Sequence, residues 1–139
     1  FAEVDEPTMI VMFGDHQPNL SDGVYDMLLG QKEEELEGEA LEQRYVTPFL
    51  IWNNYGLETD YIEKMSANYL SSYAFEMAGF ELDPYERLLL ELYDYYPVIN
   101  AQGIFDSDGT FWSWDTVMLS ENYEKLQNYQ IVEYYRIKG

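Results

Sequence analysis

The sequence has 139 residues, 47% hydrophobic and 17% aromatic, with 27 Asp and Glu against 7 Lys and Arg and a formal net charge of −20. That length suits one domain able to bury roughly two-thirds of its unfolded surface, and the apolar content is too high for a disordered acidic tail. The charge repels nucleic-acid phosphates and anionic headgroups, which argues against a nucleic-acid reader or a peripheral membrane binder, and the absence of Cys removes both a disulfide framework and a thiol nucleophile.

No stretch reads as a signal peptide or a transmembrane helix. The first residue is Phe1 rather than Met, so the expectation is a processed product or a piece of a longer protein.

Met9 to Phe13 is a continuous apolar run ended by Gly14, which suits a strand covered on both faces in a parallel or mixed sheet. Gly14, free to take angles closed to other residues, is expected to turn the chain out and present Asp15 and His16 toward one point. Pro18 and the polar stretch Asn19 to Gly23 break regular structure, and Ser21 or Asp22 caps a short helix from Val24 to Leu29 that Gly30 ends. Gln31 to Gln43 carries Glu33, Glu34, Glu35, Glu37, Glu39 and Glu42 around Leu36, Ala40 and Leu41. It reads as a solvated helix or mobile excursion rather than a calcium-attracting surface, because blocks of like charge are usually solvated.

Thr47 to Trp52, bounded by Asn53, Asn54 and Gly56, reads as a second buried strand with Pro48 tolerated at its start. Ser66 begins a helix whose apolar positions are Tyr69, Leu70, Tyr73, Phe75, Met77 and Ala78, stopped by Gly79. The next helix is the clearest: Asp83 caps, Pro84 sits at the first helical position, Glu86 completes a capping box, Leu88, Leu89, Leu92 and Tyr96 form one face, and Pro97 ends it. Ile104 to Trp112 reads as an aromatic hairpin around a Gly-containing turn. Its Asp106-x-Asp108-Gly109 does not continue as an EF-hand, which needs Gly where this chain has Phe111 and Glu where it has Val117. Ser120 is expected to cap a last helix that docks through Tyr123, Leu126, Tyr129, Ile131, Val132 and Tyr135.

Asp15 beside His16, the one histidine, offers a hard carboxylate and an imidazole, a donor pair suited to Mn, Zn or Fe. Catalytic metal sites usually draw three protein ligands or more. The pair therefore reads either as half of a site or as a turn in which Asp15 caps and His16 makes a structural hydrogen bond. Spacing leaves both open.

Wider context adds a resemblance. Val11-Met12-Phe13-Gly14-Asp15-His16-Gln17-Pro18, then Tyr45 to Tyr55, then Ser66 to Ser72, and further along Pro84-Tyr85, Tyr96-Pro97-Val98-Ile99-Asn100 and Asp108-Gly109, occur in an order that spans nearly the whole chain. So ordered, the sequence resembles the C-terminal part of the lipoteichoic acid synthase-like sulfatases, a branch of the alkaline phosphatase superfamily found in Gram-positive bacteria. The resemblance implies an α/β fold, with residues 1–139 forming the C-terminal portion of a sulfatase-like domain, a mixed sheet with flanking helices plus an aromatic hairpin.

It also implies a parent enzyme anchored upstream in the membrane and facing the extracellular side, which transfers phosphoglycerol-type groups or hydrolyses phosphodiester or sulfate esters of an anionic glycerolipid or polymer. Asp15 and His16 match the family's ligands to a divalent ion, most often Mn, with Mg, Zn and Ca as alternatives. The Thr nucleophile and the acidic ligand belong to the N-terminal remainder of the domain, so the segment alone is expected to be inactive. Gln17 and Asn19 are candidates for ordering the histidine or bonding substrate. Asn53, Asn54 and Tyr55, after the second strand, are candidates for lining the same cleft, since ligands of open α/β sheets gather at carboxyl ends of strands. Trp112 and Trp114 either stack on a sugar or glycerol chain or belong to the core.

The competing reading is a noncatalytic acidic interaction module in which Asp15 and His16 are structural. Strands parted from their neighbours should leave an exposed sheet edge and apolar patches.

Overall fold

The computed structural model describes residues 4–20, 23–58 and 60–138. The chain is α/β, built from small antiparallel sheets with flanking helices. It divides into two compact units, Phe1–Gly56 and Leu57–Gly139. Among the described residues, no helix is long and apolar enough to cross a membrane.

In the first unit, strand β1 (Met9–Phe13) pairs antiparallel with β2 (Phe49–Asn53), in a register that sets Met9 opposite Asn53 and Phe13 opposite Phe49. The parallel or mixed pairing expected for β1 is thus replaced by a two-stranded antiparallel ribbon. Side chains of directly opposed residues share a face. One face carries Val11 with Ile51 and Phe13 with Phe49, and the other carries Ile10 with Trp52 and Met12 with Leu50. Both faces are apolar, the pattern of a strand covered on both sides, yet within this unit Met12 and Phe13 are each 61% exposed. The expected apolar patch is present.

Helix α1 (Val24–Leu29) has Gly23 at its N-cap position with no side-chain cap, and Gly30 closes it in the left-handed region, donating to the Asp26 carbonyl. Ser21 and Asp22, the expected caps, lie outside the described residues. The acidic stretch is not one solvated helix. It forms a 3-10 turn over Glu33–Glu35 and a short helix α2 (Gly38–Gln43), with Leu36 and Glu42 buried. An apolar residue and the last carboxylate turn inward, which charge patterning alone does not reveal.

The second unit contains α3 (Ala67–Met77), α4 (Pro84–Tyr93), the antiparallel sheet β3 (Val98–Ile99), β4 (Gly103–Phe105) and β5 (Phe111–Ser113), and α5 (Tyr123–Lys138). The middle strand β4 is buried along its length. Its core joins Tyr69 of α3, Leu89 and Leu92 of α4, Tyr96, Ile104 of β4, Val117 and Leu126 of α5. The Tyr69 hydroxyl, buried with its ring, donates to the Tyr96 carbonyl at 2.9 Å. That bond removes the penalty a bare buried hydroxyl carries.

Helix α4 starts as its sequence signals require, the Asp83 carboxylate accepting from the Tyr85 and Glu86 amides and the Glu86 carboxylate from the Asp83 amide, but it ends at Tyr93, short of the expected Tyr96 and Pro97. The hairpin also forms. Asp106 Oδ1 accepts from the Asp108 amide (3.1 Å) and the Thr110 amide (2.8 Å), and Oδ2 accepts from Trp112 Nε1 (2.7 Å). Both oxygens are thereby committed to the turn, in line with the turn reading over the calcium one.

Two expected caps do other work. Ser66 precedes α3 without capping it; its hydroxyl donates to the Ile99 carbonyl and accepts from the Ile99 amide, tying the helix start to β3. Ser120 sits three residues before α5, buried, with its hydroxyl against the Tyr96 hydroxyl at 2.7 Å and the Val117 carbonyl at 2.8 Å. Helix α5 packs through Leu126, Tyr123 and Tyr129, whereas Ile131 and Tyr135, expected on the docking face, are exposed.

Candidate metal half-site

The loop Gly14–Pro18 leaves β1 and is held by the segment that enters β2. The Gly14 amide donates to the Pro48 carbonyl (3.0 Å), and the Gly14 carbonyl accepts from Thr47 Oγ1 (2.8 Å). Gly14 does not adopt the left-handed angles expected of it. Its smallness is used instead: a Cβ there would lie 2.9 Å from the Thr47 Cβ, closer than carbon atoms pack. Downstream, the Gln17 side-chain amide donates to the Val46 carbonyl, and the Tyr25 hydroxyl donates to the Pro18 carbonyl. The Arg44 guanidinium lies 3.6 Å over the Tyr25 ring, a cation–π contact that steadies the tyrosine.

Between these anchors Asp15 and His16 project into solvent, their side chains 80% and 76% exposed. Asp15 Oδ1 accepts from the His16 amide at 2.9 Å. His16 Nδ1 lies 2.9 Å from the Gln17 carbonyl oxygen. Because a carbonyl only accepts, this bond calls for Nδ1–H, and in the neutral ring the lone pair then sits on Nε2. That Nε2 lies 3.5 Å from Asp15 Oδ2. Two groups this exposed add little to stability, so stability is a poor reason for the arrangement.

The donor set fits a divalent ion. It offers one anionic oxygen and one neutral nitrogen, with the second ring nitrogen already fixed by a carbonyl, the usual outer partner of a ligating histidine. Their separation is within reach of a single ion bound to both at ordinary distances of about 2.0–2.2 Å. Among the described residues, no group of three or more His, Asp or Glu side chains gathers to hold an ion.

Of the other residues singled out by sequence, Gln17 contributes its backbone carbonyl to His16 and its side chain to the loop anchor, and Asn19 is exposed. Asn53, Asn54 and Tyr55 are not brought to the loop. In an antiparallel ribbon the carboxyl end of β2 lies beside Met9, at the opposite end from Asp15, about 20 Å away at the usual rise per strand residue. There Asn54 Oδ1 accepts from the Thr8 amide (2.8 Å) and its Nδ2 donates to the carbonyls of Val4 (2.8 Å) and Glu6 (3.0 Å), while Asn53 Oδ1 accepts from the Tyr55 amide (3.2 Å). They clamp the ribbon's far end. Thr47, Tyr25 and Arg44, which hold the loop, are residues that sequence reasoning missed; no local pattern marks them, and the partner of Thr47 lies 33 residues away.

The chain is 30% identical over 111 residues to a putative cyclic beta-1,2-glucan modification protein of Rhizobium meliloti (strain 1021). The match covers 77% of this chain and 17% of that relative's length. No family model matches the chain, and no solved structure matches it.

Proposed function

We propose that this chain supplies the Asp–His half of a divalent-metal site in a larger sulfatase-like enzyme of the alkaline phosphatase superfamily. That enzyme transfers phosphoglycerol-type groups to, or cleaves phosphate or sulfate esters on, a cell-envelope glucan or related polymer. The observation that carries the reading is the pairing of His16 Nε2 with Asp15 Oδ2 at 3.5 Å on an anchored, solvent-facing loop. The relative's name, which speaks of glucan modification, supports the polymer acceptor.

The ion expected is Mn, with Mg, Zn or Ca as alternatives. When bound, such an ion offsets charge on phosphoryl or sulfuryl oxygens and favours an alkoxide nucleophile. Asp15 contributes anionic charge, and the cation offsets that charge together with part of the negative field of the chain, whose net charge is −20. His16 contributes a neutral nitrogen, and the Gln17 carbonyl keeps its proton on Nδ1. The Thr nucleophile and a further acidic ligand come from the N-terminal remainder of the domain, the partner of this segment. A membrane anchor precedes that remainder, and the site works on the extracellular face.

The test uses the longer protein that carries this segment. Asp15→Ala and His16→Ala should each abolish turnover and lower the bound metal content while leaving the circular dichroism spectrum unchanged. Turnover that survives both substitutions contradicts the assignment and favours the noncatalytic interaction module.

A further inference from the structure

We infer that the Trp114 indole is a stacking platform for one glucosyl ring of a neutral glucan. This rests on the glucan part of the functional reading and not on its metal part.

Trp114 follows β5 in the loop that leads to the 3-10 turn Val117–Leu119. Its Nε1–H is shared between the carbonyls of Asn100 (3.1 Å) and Ala101 (3.2 Å), in the turn that joins β3 to β4. The ring's one polar atom is thus satisfied by protein, while the residue remains 37% exposed. Trp112 resolves the other way: it is half-buried, belongs to the core's rim, and bonds Asp106.

Both supports of the indole are stiff. Asn100 Oδ1 accepts from the Gln102 amide (2.8 Å) and the Gly103 amide (3.1 Å), and the Asn100 amide donates to the Gly103 carbonyl (2.9 Å). On the other side the Thr116 amide donates to the Ser113 carbonyl (3.0 Å), and their hydroxyls lie 3.0 Å apart. A platform already held in place has little ordering entropy left to lose on binding.

The chemistry selects the occupant. The face of a pyranose ring presents C–H groups that complement the negative face of an indole, and its hydroxyls need polar neighbours. Gln102, Asp115 and Thr116, all exposed, flank the two backbone segments that Trp114 bridges. A net charge of −20 penalises an acidic polysaccharide and leaves a neutral glucan unopposed. Met118 and Leu119 are also exposed in the same loop. A protein or lipid partner would use them together with Trp114, whereas a glucan needs the indole alone.

The test is a titration of the 139-residue chain with cyclic β-1,2-glucan, followed by the indole N–H resonances of its three tryptophans. A saturable shift at Trp114 is expected with a dissociation constant on the order of 1 mM, as suits one stacking contact, while the Trp52 and Trp112 resonances stay in place. Trp114→Ala should remove binding with the Trp112 resonance unmoved, which shows the hairpin intact, and Met118→Ser with Leu119→Ser should leave the affinity within about twofold. The proposal is overturned by the absence of saturation below about 20 mM, by unchanged binding in Trp114→Ala, or by loss of binding in the Met118 and Leu119 variants. No metal is added, so failure here and failure at Asp15 and His16 are read separately.

Discussion

The units Phe1–Gly56 and Leu57–Gly139 use their apolar residues differently. The second closes Tyr69, Leu92, Tyr96, Ile104 and Leu126 into a core, each at most 1% exposed. The first spends its best strand residues on a ribbon that is apolar on both faces and leaves Met12 and Phe13 largely open. A two-stranded ribbon alone is marginally stable, and here pins at its two ends, Thr47 on Gly14 and Asn54 on Thr8, do what a core does elsewhere. The contrast is between a unit with a closed core and a unit that presents Asp15 and His16 on a loop leaving a strand composed for burial that the unit does not supply.

The largest effect that sharpens this contrast is Leu92→Ala, which should cost about 2–5 kcal/mol, as cavity-forming core truncations do, measured by urea unfolding. Phe13→Ala in the same 139-residue chain should change stability by less than about 0.5 kcal/mol, the range of surface substitutions. Equal costs for the two would erase the distinction between the units.

Alkaline pH should next separate them. Burial, the foremost cause, pushes the hydroxyls of Tyr69, Tyr73, Tyr85, Tyr93, Tyr96 and Tyr129 above the usual tyrosine range, and the bond to the Glu133 carboxylate adds to the rise at Tyr85. All belong to the second unit. The folded state then holds protons that the unfolded chain releases above about pH 10. The stability of the second unit should therefore be level from neutral to about pH 10 and fall beyond it, as followed by near-ultraviolet circular dichroism. Tyr85→Phe should soften the fall.

Gly14→Ala, which forces a methyl group onto Thr47, should cost about 1–3 kcal/mol in the ribbon, as overpacking does, and should broaden the amide resonances of Asp15 and His16. Asp83→Ala, which removes both capping bonds of α4, should cost about 1 kcal/mol in the second unit. An effect of Gly14→Ala confined to the second unit would break the division.

How far the sequence could be read follows the same divide. The start of helix α4 was legible because Asp83, Pro84 and Glu86 act over a few residues, but its end was not: the helix stops at Tyr93, before Tyr96 and Pro97. The hairpin around Asp106 was legible for the same short-range reason. Strand β3 is two residues long directly after Pro97, too short to leave a pattern. Ser66 and Ser120 look like caps locally, yet β3 and Tyr96 claim their hydroxyls from 33 and 24 residues away. In the first unit the two apolar runs were visible, but their antiparallel pairing was not, because apolarity on both faces is shared by every kind of buried strand. That pairing carries Asn53, Asn54 and Tyr55 away from Asp15. The Asp15–His16 pair was legible because its members are neighbours. Its histidine anchor was not, because the bond goes to the backbone of Gln17 rather than to its side chain.

The most direct measurement at the central pair is a manganese titration of the 139-residue chain, read from paramagnetic broadening of the His16 imidazole and the amides around it. A half-site predicts weak binding that broadens His16 first, is reversed by a chelator and is lost in Asp15→Ala. Submicromolar binding by the chain alone, or broadening centred on Glu34 to Glu42 with His16 untouched, would contradict it.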